Sequence, residues 1–170
     1  MTVGRGKGGY GGGGNNTEDV AIGYSVLSNN DGGAQNVGIG DYALAFNVGG
    51  EYNTAIGYSS LYSGDGLGNT GIGYYSLYNL SSNTQNNYNT ALGYNSGTTL
   101  LFGKYNLFLG SETNYISTGS YNTIIGSQIT VLPPTLNNNI ILADGQGNIK
   151  YRWDGTQNPK TPKPLINENN

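Results

Sequence analysis

The side chains best able to do chemistry in this sequence are its ten carboxylates, because the chain contains no cysteine and no histidine. That absence excludes disulfides, thiolate metal sites and histidine general bases, whereas paired carboxylates can hydrolyse glycosidic bonds. The acids do not recur on one face of adjacent repeats, and Asp31 and Asp65 stand in NNDGG and SGDGLG, which are typical of turns. We predict that the chain is not an enzyme and has no cofactor or metal site, with a glycan depolymerase as the catalytic alternative. A cation in the Asp/Gly loops is left open by the sequence.

Tyrosine is the second residue type whose placement indicates chemistry. One set follows a glycine, and another set precedes an asparagine: Tyr52, Tyr88, Tyr105 and Tyr121. Aligned, exposed tyrosines bind glycans through their ring faces and hydroxyls, whereas rings that stack between turns serve packing alone. The sequence favours the packing interpretation, and the candidate receptor contacts are the residues that follow the glycine: Tyr24, Tyr58, Tyr74 and Tyr94.

Composition limits the partners of the chain. Only 10% of its residues are charged, the net charge is −3, and there are only 7 Lys plus Arg, which argues against nucleic acid. No apolar run approaches the roughly 20 residues that a membrane span requires. Thirty glycines and fifteen tyrosines with so little charge are typical of stacked β structure rather than of disorder.

A short repeated unit, N-x-x-[I/L/V]-G, positions these residues. It begins as DVAIG at Asp19 and ends as NIILA at Ala143, and successive copies lie 16 to 20 residues apart, most often 17. This period is too short for a helix pair or a propeller blade and fits one turn of a solenoid. We predict an all-β, parallel β-solenoid of eight or nine rungs, each about 17 residues long and about 4.8 Å apart.

Strand side chains alternate between two faces, so the unit assigns its positions to opposite sides. The residue before the glycine forms an apolar row that we predict to be the rung core: Ile22, Ile39, Ile56, Ile72, Leu92, Leu109, Ile125 and Leu142. The central position is small or apolar, where a solvent-facing strand would carry polar residues. We predict that it forms a subunit interface: Ala21, Gly38, Ala55, Gly71, Ala91, Phe108, Ile124 and Ile141.

The remaining positions of the repeat are turn and corner residues. Its first position is asparagine in seven copies: Asn36, Asn53, Asn69, Asn89, Asn106, Asn122 and Asn139. Stacked asparagines form an amide ladder, and asparagine also favours the bend that enters a strand, so both interpretations stand together. The terminal glycine is expected to make a corner with positive φ. A leucine four positions later predicts a second short strand or, alternatively, one turn of helix: Leu27, Leu44, Leu61 and Leu77.

The repeats divide the chain into four segments. Residues 1–18 are glycine-rich and contain a weak first rung that ends at Gly4, and residues 19–143 form the solenoid. Residues 144–156 complete a hairpin that caps the last rung, and residues 157–170 form a proline-rich extended tail.

The units NTAIGYSSLY, NTGIGYYSLY and NTALGYNSG resemble the repeats of phage tail-fibre proteins and are similar to the head repeats of trimeric autotransporter adhesins. TVGRGKG and NNIILADGQGNIKYRWDG are also similar to tail-fibre sequence, so the resemblance covers residues 1–155. It implies an obligate parallel homotrimer on a virion, in contact with other fibre proteins and with a host-surface glycan or protein. A bacterial trimeric adhesin is the alternative, and an ice-binding solenoid, which needs a flat exposed threonine array, is a more remote one.

Overall fold

The computed structural model describes residues 3–5, 18–81, 87–113, 115–129 and 132–156, with Val3–Arg5 described as backbone alone. These residues form one ten-stranded sheet in which the strands are neighbours in sequence order. The strands are β1 (Val3–Arg5), β2 (Val20–Ile22), β3 (Val37–Ile39), β4 (Thr54–Ile56), β5 (Thr70–Ile72), β6 (Thr90–Leu92), β7 (Leu107–Leu109), β8 (Thr123–Ile125), β9 (Ile140–Ala143) and β10 (Ile149–Trp153).

Strands β2 to β9 pair in parallel and in register, so that each strand begins one turn of a solenoid. Ala55 pairs with Gly71 and Gly71 with Ala91, and every other parallel pair keeps the same alignment of central residues. The chain is therefore a parallel β-solenoid of about 7 turns of about 17 residues, which confirms the predicted all-β solenoid and its period, with fewer turns than the eight or nine rungs predicted.

Antiparallel strands lie against the first and the last of these rungs. Strand β1 pairs antiparallel with β2, Val3 opposite Ile22, so the predicted weak first rung is not a parallel turn of the solenoid. Strand β10 pairs antiparallel with β9, which confirms the predicted C-terminal hairpin. The predicted proline-rich tail lies outside the described residues. Within those residues, no helix is both long and apolar enough to cross a membrane.

The two faces of the strands are the reverse of the sequence prediction. Ala55, Ala91 and Phe108 are fully buried within a single chain, where they join the core formed by the leucines of the turns. The predicted trimer-interface residues therefore line the interior of the rungs, and their assignment to an interface is wrong: Ala21, which is half-buried, and the buried Gly38, Ala55, Gly71, Ala91, Phe108, Ile124 and Ile141. The predicted core row lies on the outer face, where all its members are half-buried or exposed: Ile22, Ile39, Ile56, Ile72, Leu92, Leu109, Ile125 and Leu142.

The narrow interior of each turn explains this arrangement. A Cβ on Gly71 would lie 3.2 Å from the Leu61 side chain, so a small central residue leaves space for the leucine opposite. At Phe108, where the central residue is large, the opposite wall is a glycine, and a Cβ on Gly97 would lie 3.0 Å from the ring of Phe108. Close packing of the interior thus selects the size of the central residue and leaves the larger flanking residues outside.

The segment after each strand is a turn, so the prediction of a second strand is wrong, as is the helical alternative. At the corner, Gly57 has φ 130°, and a Cβ there would lie 2.7 Å from the carbonyl carbon of Gly73 in the next rung. Leu44 and Leu61 follow with left-handed φ values of 53° and 49°, and their side chains are fully buried. The Leu44 N–H donates to the Ser60 carbonyl at 3.1 Å, so the turns stack by backbone hydrogen bonds without forming a strand.

The turn of the β9–β10 hairpin is organised by Asp144. Its carboxylate accepts hydrogen bonds from the Asn148 side chain and the Gln146 N–H, and Lys150 Nζ lies 3.1 Å away. The Asn148 bond first, and then these other donors, hold the pKa of Asp144 well below its usual value.

We therefore expect Asp144 to remain ionised at about pH 3 in the folded chain. Because its folded pKa lies below the ordinary value of an aspartate, its stabilising effect is complete above that ordinary value and is lost as the pH falls through the folded pKa. A carboxyl-carbon NMR titration measures this directly. A midpoint at the ordinary aspartate value would contradict the prediction, and Asp144→Asn should remove the acid-dependent loss of hairpin order.

Candidate functional site

A row of tyrosines follows the glycine corners along one side of the solenoid. It contains the four predicted receptor contacts and Tyr42. In the turn of Tyr42 the glycine is followed by Asp41, and Tyr42, the next residue, supplies the ring of the row. Tyr58 and Tyr74 stack with ring centroids 5.4 Å apart, and Tyr74 and Tyr94 stack at 5.3 Å, each pair within 13° of parallel. At the N-terminal end Tyr42 makes edge contacts with the rings of Tyr24 and Tyr58.

The rings of this first row are in contact with one another and are also open to solvent. Tyr24 is 65% exposed and Tyr94 51%, so stacking leaves much of each ring and its hydroxyl accessible. A hydrogen bond with Tyr75 raises the pKa of Tyr74, and desolvation raises the pKa of Tyr42. These two phenols are therefore neutral at physiological pH and can donate hydrogen bonds as well as accept them.

A second aromatic row lies beside the first and was not predicted. Phe46, Tyr62 and Tyr78 occupy successive turns, with ring centroids 5.0 and 4.9 Å apart. Tyr75 connects the two rows, because its ring lies 4.6 Å from Tyr78 and 4.2 Å from Tyr74. The aromatic residue that follows the inward leucine in YSSLY and YYSLY is the sequence signal that identifies this second row.

A third row is formed by the tyrosines that precede the asparagines. Tyr88, Tyr105 and Tyr121 stack with centroids 5.1 and 5.3 Å apart. Tyr52 occupies the same column but is separated from this stack, because Gly68 takes the position in the intervening turn. All four residues therefore share one column along the rod, and three of them stack ring on ring.

No model of a protein family matches this chain, and neither a curated protein nor a solved structure does so. The function is therefore argued from the surfaces of the solenoid itself.

The asparagines that begin each repeat are buried and form a continuous ladder inside the solenoid. Each backbone N–H donates to the side-chain oxygen of the asparagine one turn earlier, as from Asn89 to Asn69 at 2.9 Å and from Asn122 to Asn106 at 3.1 Å. The side-chain amide donates to a backbone carbonyl of the next turn, as from Asn89 to Gly103 at 2.9 Å. The ladder is therefore part of the scaffold and offers no surface for a ligand.

An acidic and a basic side chain stand at the two ends of this ladder. Asp19 takes the first place, and its two oxygens accept from the Asn36 N–H at 2.7 Å and the Asn30 side chain at 2.8 Å. Arg152 of β10 donates to the last oxygen of the row, that of Asn139, at 3.1 Å. The Asn36 N–H at the start of the ladder needs an acceptor, which the carboxyl group of Asp19 supplies. The Asn139 side-chain oxygen at the end needs a donor, which the guanidinium of Arg152 supplies.

The carboxylates of the turns serve local structure. Asp41 accepts a hydrogen bond from the Tyr24 N–H at 2.8 Å, and Asp65 accepts one from the Gly49 N–H. Among the described residues, no group of three or more acids is placed so that it could hold a metal ion. Besides the three aromatic rows, the outer face of the parallel sheet is a further exposed feature of the described residues.

Proposed function

We propose that the chain is a rigid segment of a homotrimeric fibre of the phage tail-fibre kind, displayed on a virion, with a bacterial surface adhesin as the alternative. Three solenoids pack in parallel through the outer faces of their sheets. The tyrosine rows remain on the outside, where they contact a host-surface glycan or protein.

The observation that carries this proposal is the apolar outer face of strands β2 to β9. Two rows of side chains run along it, one on each side of the buried central residues. The first is Val20, Val37, Thr54, Thr70, Thr90, Leu107, Thr123 and Ile140, and the second is the row from Ile22 to Leu142. An apolar stripe that continues over eight rungs is more than a soluble chain usually leaves in water, and such stripes mark interaction surfaces.

The parallel register supports a symmetric assembly with the same residues in each subunit. Because every rung repeats the same geometry, three copies related by a rotation about the long axis meet row against row at each level. Thr54, Thr70 and Thr90 lie on this face beside isoleucines or leucines rather than in a threonine array, so the ice-binding alternative receives no support from them.

Introducing a charge on this face should disrupt the assembly. We expect wild-type chain to sediment as a trimer and Leu92→Arg, which places a guanidinium at a residue 44% exposed on the outer face, to sediment as a monomer. Leu67→Arg is the matched control, because Leu67 is 36% exposed but lies in the loop before Asn69 and outside this face. A wild-type chain that is monomeric at micromolar concentration would sink the proposal, and so would loss of the trimer in both variants.

A further inference from the structure

An open groove of about 550 Å³ lies on the flank of the last turns. It is lined by residues that precede the ladder asparagines in each turn, and its floor is the backbone of Gly103 and Gly119. Their carbonyls accept hydrogen bonds from the ladder amides of Asn89 and Asn106, at 2.9 and 2.8 Å. A Cβ on Gly103 would collide with the Gly119 carbonyl, so the floor has no space for a side chain at residue 103 and is held in place by these backbone contacts. The groove is therefore preformed.

The two walls of this groove differ in chemistry. One wall is Phe102, Thr118 and Thr135, which are partners in successive parallel bridges and so stand one above another. The opposite wall is Asn87, Lys104, Ser120 and Asn137. It is ordered by hydrogen bonds from the Lys104 N–H to Ser120 Oγ at 3.1 Å and from the Ser120 N–H to Asn137 Oδ1 at 2.8 Å.

Lys104 is the one fixed charge of the groove. Its side chain is exposed, and among the described side chains it makes no ion pair, whereas Lys150 is paired with Asp144. Across the groove, Phe102 leaves 39% of its surface exposed. The other lining side chains are hydroxyls and amides, which donate and accept hydrogen bonds.

We propose that this groove binds an acidic saccharide, with the sugar carboxylate on the Lys104 ammonium and the C–H face of the ring on Phe102. An aromatic platform, a row of hydroxyl and amide groups and a single cation match a polyhydroxylated ring that carries one negative charge. The walls continue from turn to turn at the rung spacing of about 4.8 Å, so the hydroxyl and amide groups of the neighbouring turns lie along the path of a sugar chain that extends from this ring. An extended peptide finds no free strand edge here, because the carbonyls of the floor are bonded to the ladder.

This site is separate from the tyrosine rows, and its proposal does not require the chain to be a trimer. It is tested by titrating the full-length chain with a panel of uronic acid and sialic acid oligosaccharides, each compared with a neutral oligosaccharide of the same length. We expect at least one acidic member to bind, and Lys104→Gln to weaken that binding about tenfold, the usual loss for a charged hydrogen bond. Neutral-sugar binding should be unchanged by Lys104→Gln, whereas Phe102→Leu should weaken the binding of the acidic and the neutral oligosaccharides alike.

Lys150→Gln is the control, since it removes the same charge from the hairpin and should leave saccharide affinity unchanged. The proposal is overturned if no acidic oligosaccharide binds, if Lys150→Gln weakens binding as much as Lys104→Gln, or if a short acidic peptide binds as tightly. Circular dichroism of each variant reports folding. We expect Lys104→Gln to fold normally, because the hydrogen bond from the N–H of residue 104 to Ser120 Oγ does not involve the side chain that is replaced. Sedimentation of the same samples reports assembly separately from binding.

Discussion

Replacement of Phe108 with alanine is expected to lower the free energy of unfolding by about 3–5 kcal/mol, the usual cost of removing a buried phenylalanine. The ring is fully buried and fills the space left by Gly97 on the opposite wall, so its removal leaves a cavity that the stacked turns cannot close. Chemical denaturation followed by circular dichroism measures the loss. Because Phe108 lies inside its own chain, the loss should not depend on protein concentration.

Leu109→Ala is the control for Phe108→Ala, since the two residues are neighbours on opposite faces of β7. Leu109 is exposed on the outer face, and its truncation in the isolated chain should cost only about 1 kcal/mol. Any larger loss should grow with protein concentration, because it would come from association. Equal losses from both variants at every concentration would contradict the inward orientation of Phe108.

Replacement of Asn89 with aspartate is expected to cost about 3 kcal/mol or more, because it removes two buried donors and adds a charge. The Asn89 amide donates to Asn69 Oδ1 at 3.1 Å and to the Gly103 carbonyl at 2.9 Å, so a carboxylate oxygen there would face two acceptors. Desolvation and repulsion should raise the pKa of the new carboxyl in the folded state. The destabilisation should therefore be largest at neutral pH and decrease as acid protonates the group.

Denaturation at neutral pH and near pH 4 tests this expectation. Asn79→Asp is the matched control, because Asn79 is exposed and donates only to the Thr98 carbonyl, and it should change stability by about 0.5 kcal/mol or less. An Asn89→Asp variant as stable as the control would show that the ladder contributes nothing to the fold. Asp19 is no counterexample, since its oxygens face the donors of Asn36 and Asn30.

The spacing of the repeat was sufficient to predict the path of the chain. An apolar strand followed by a glycine, recurring at a fixed period, predicts a solenoid, and the crowding of Gly57 against Gly73 is the physical reason for the recurring corner glycine. The hairpin followed from two apolar strands around a glycine-rich turn. These features depend on local residues and a fixed period, which a single sequence contains.

The sequence did not reveal which face of each strand lies inside. Alternation separates Ala55 from Thr54 and Ile56, but it does not say which set faces the interior. The width of the turn decides this, and the width depends on Leu61, whose left-handed φ of 49° no single-sequence pattern predicts for leucine. The interior also accepts Ser60 and Ser76, because their hydroxyls bond to each other at 2.9 Å, so an apolar-inside rule does not identify it.

The saccharide groove was missed for a different reason. Its lining residues come from separate turns and from positions whose residue types do not repeat, so no motif joins Phe102 with Lys104 and Asn137. They meet only because the strands stack in register. The alignment of Tyr24, Tyr58, Tyr74 and Tyr94 in the first row, by contrast, was predicted because these four residues share one position in the repeat.

Because the strands pair in register, the number of residues in a turn can change without changing how the rungs stack. The turn from Asn53 to Asn69 spans 16 residues and that from Asn69 to Asn89 spans 20, yet β4, β5 and β6 keep the same alignment. The difference of four residues between these two turns therefore leaves the register of the sheet unchanged. Mutation can lengthen a turn, and whole turns can be gained or lost, while the scaffold continues to fold. Surface specificity and mechanical continuity are consequently free to evolve independently in this protein.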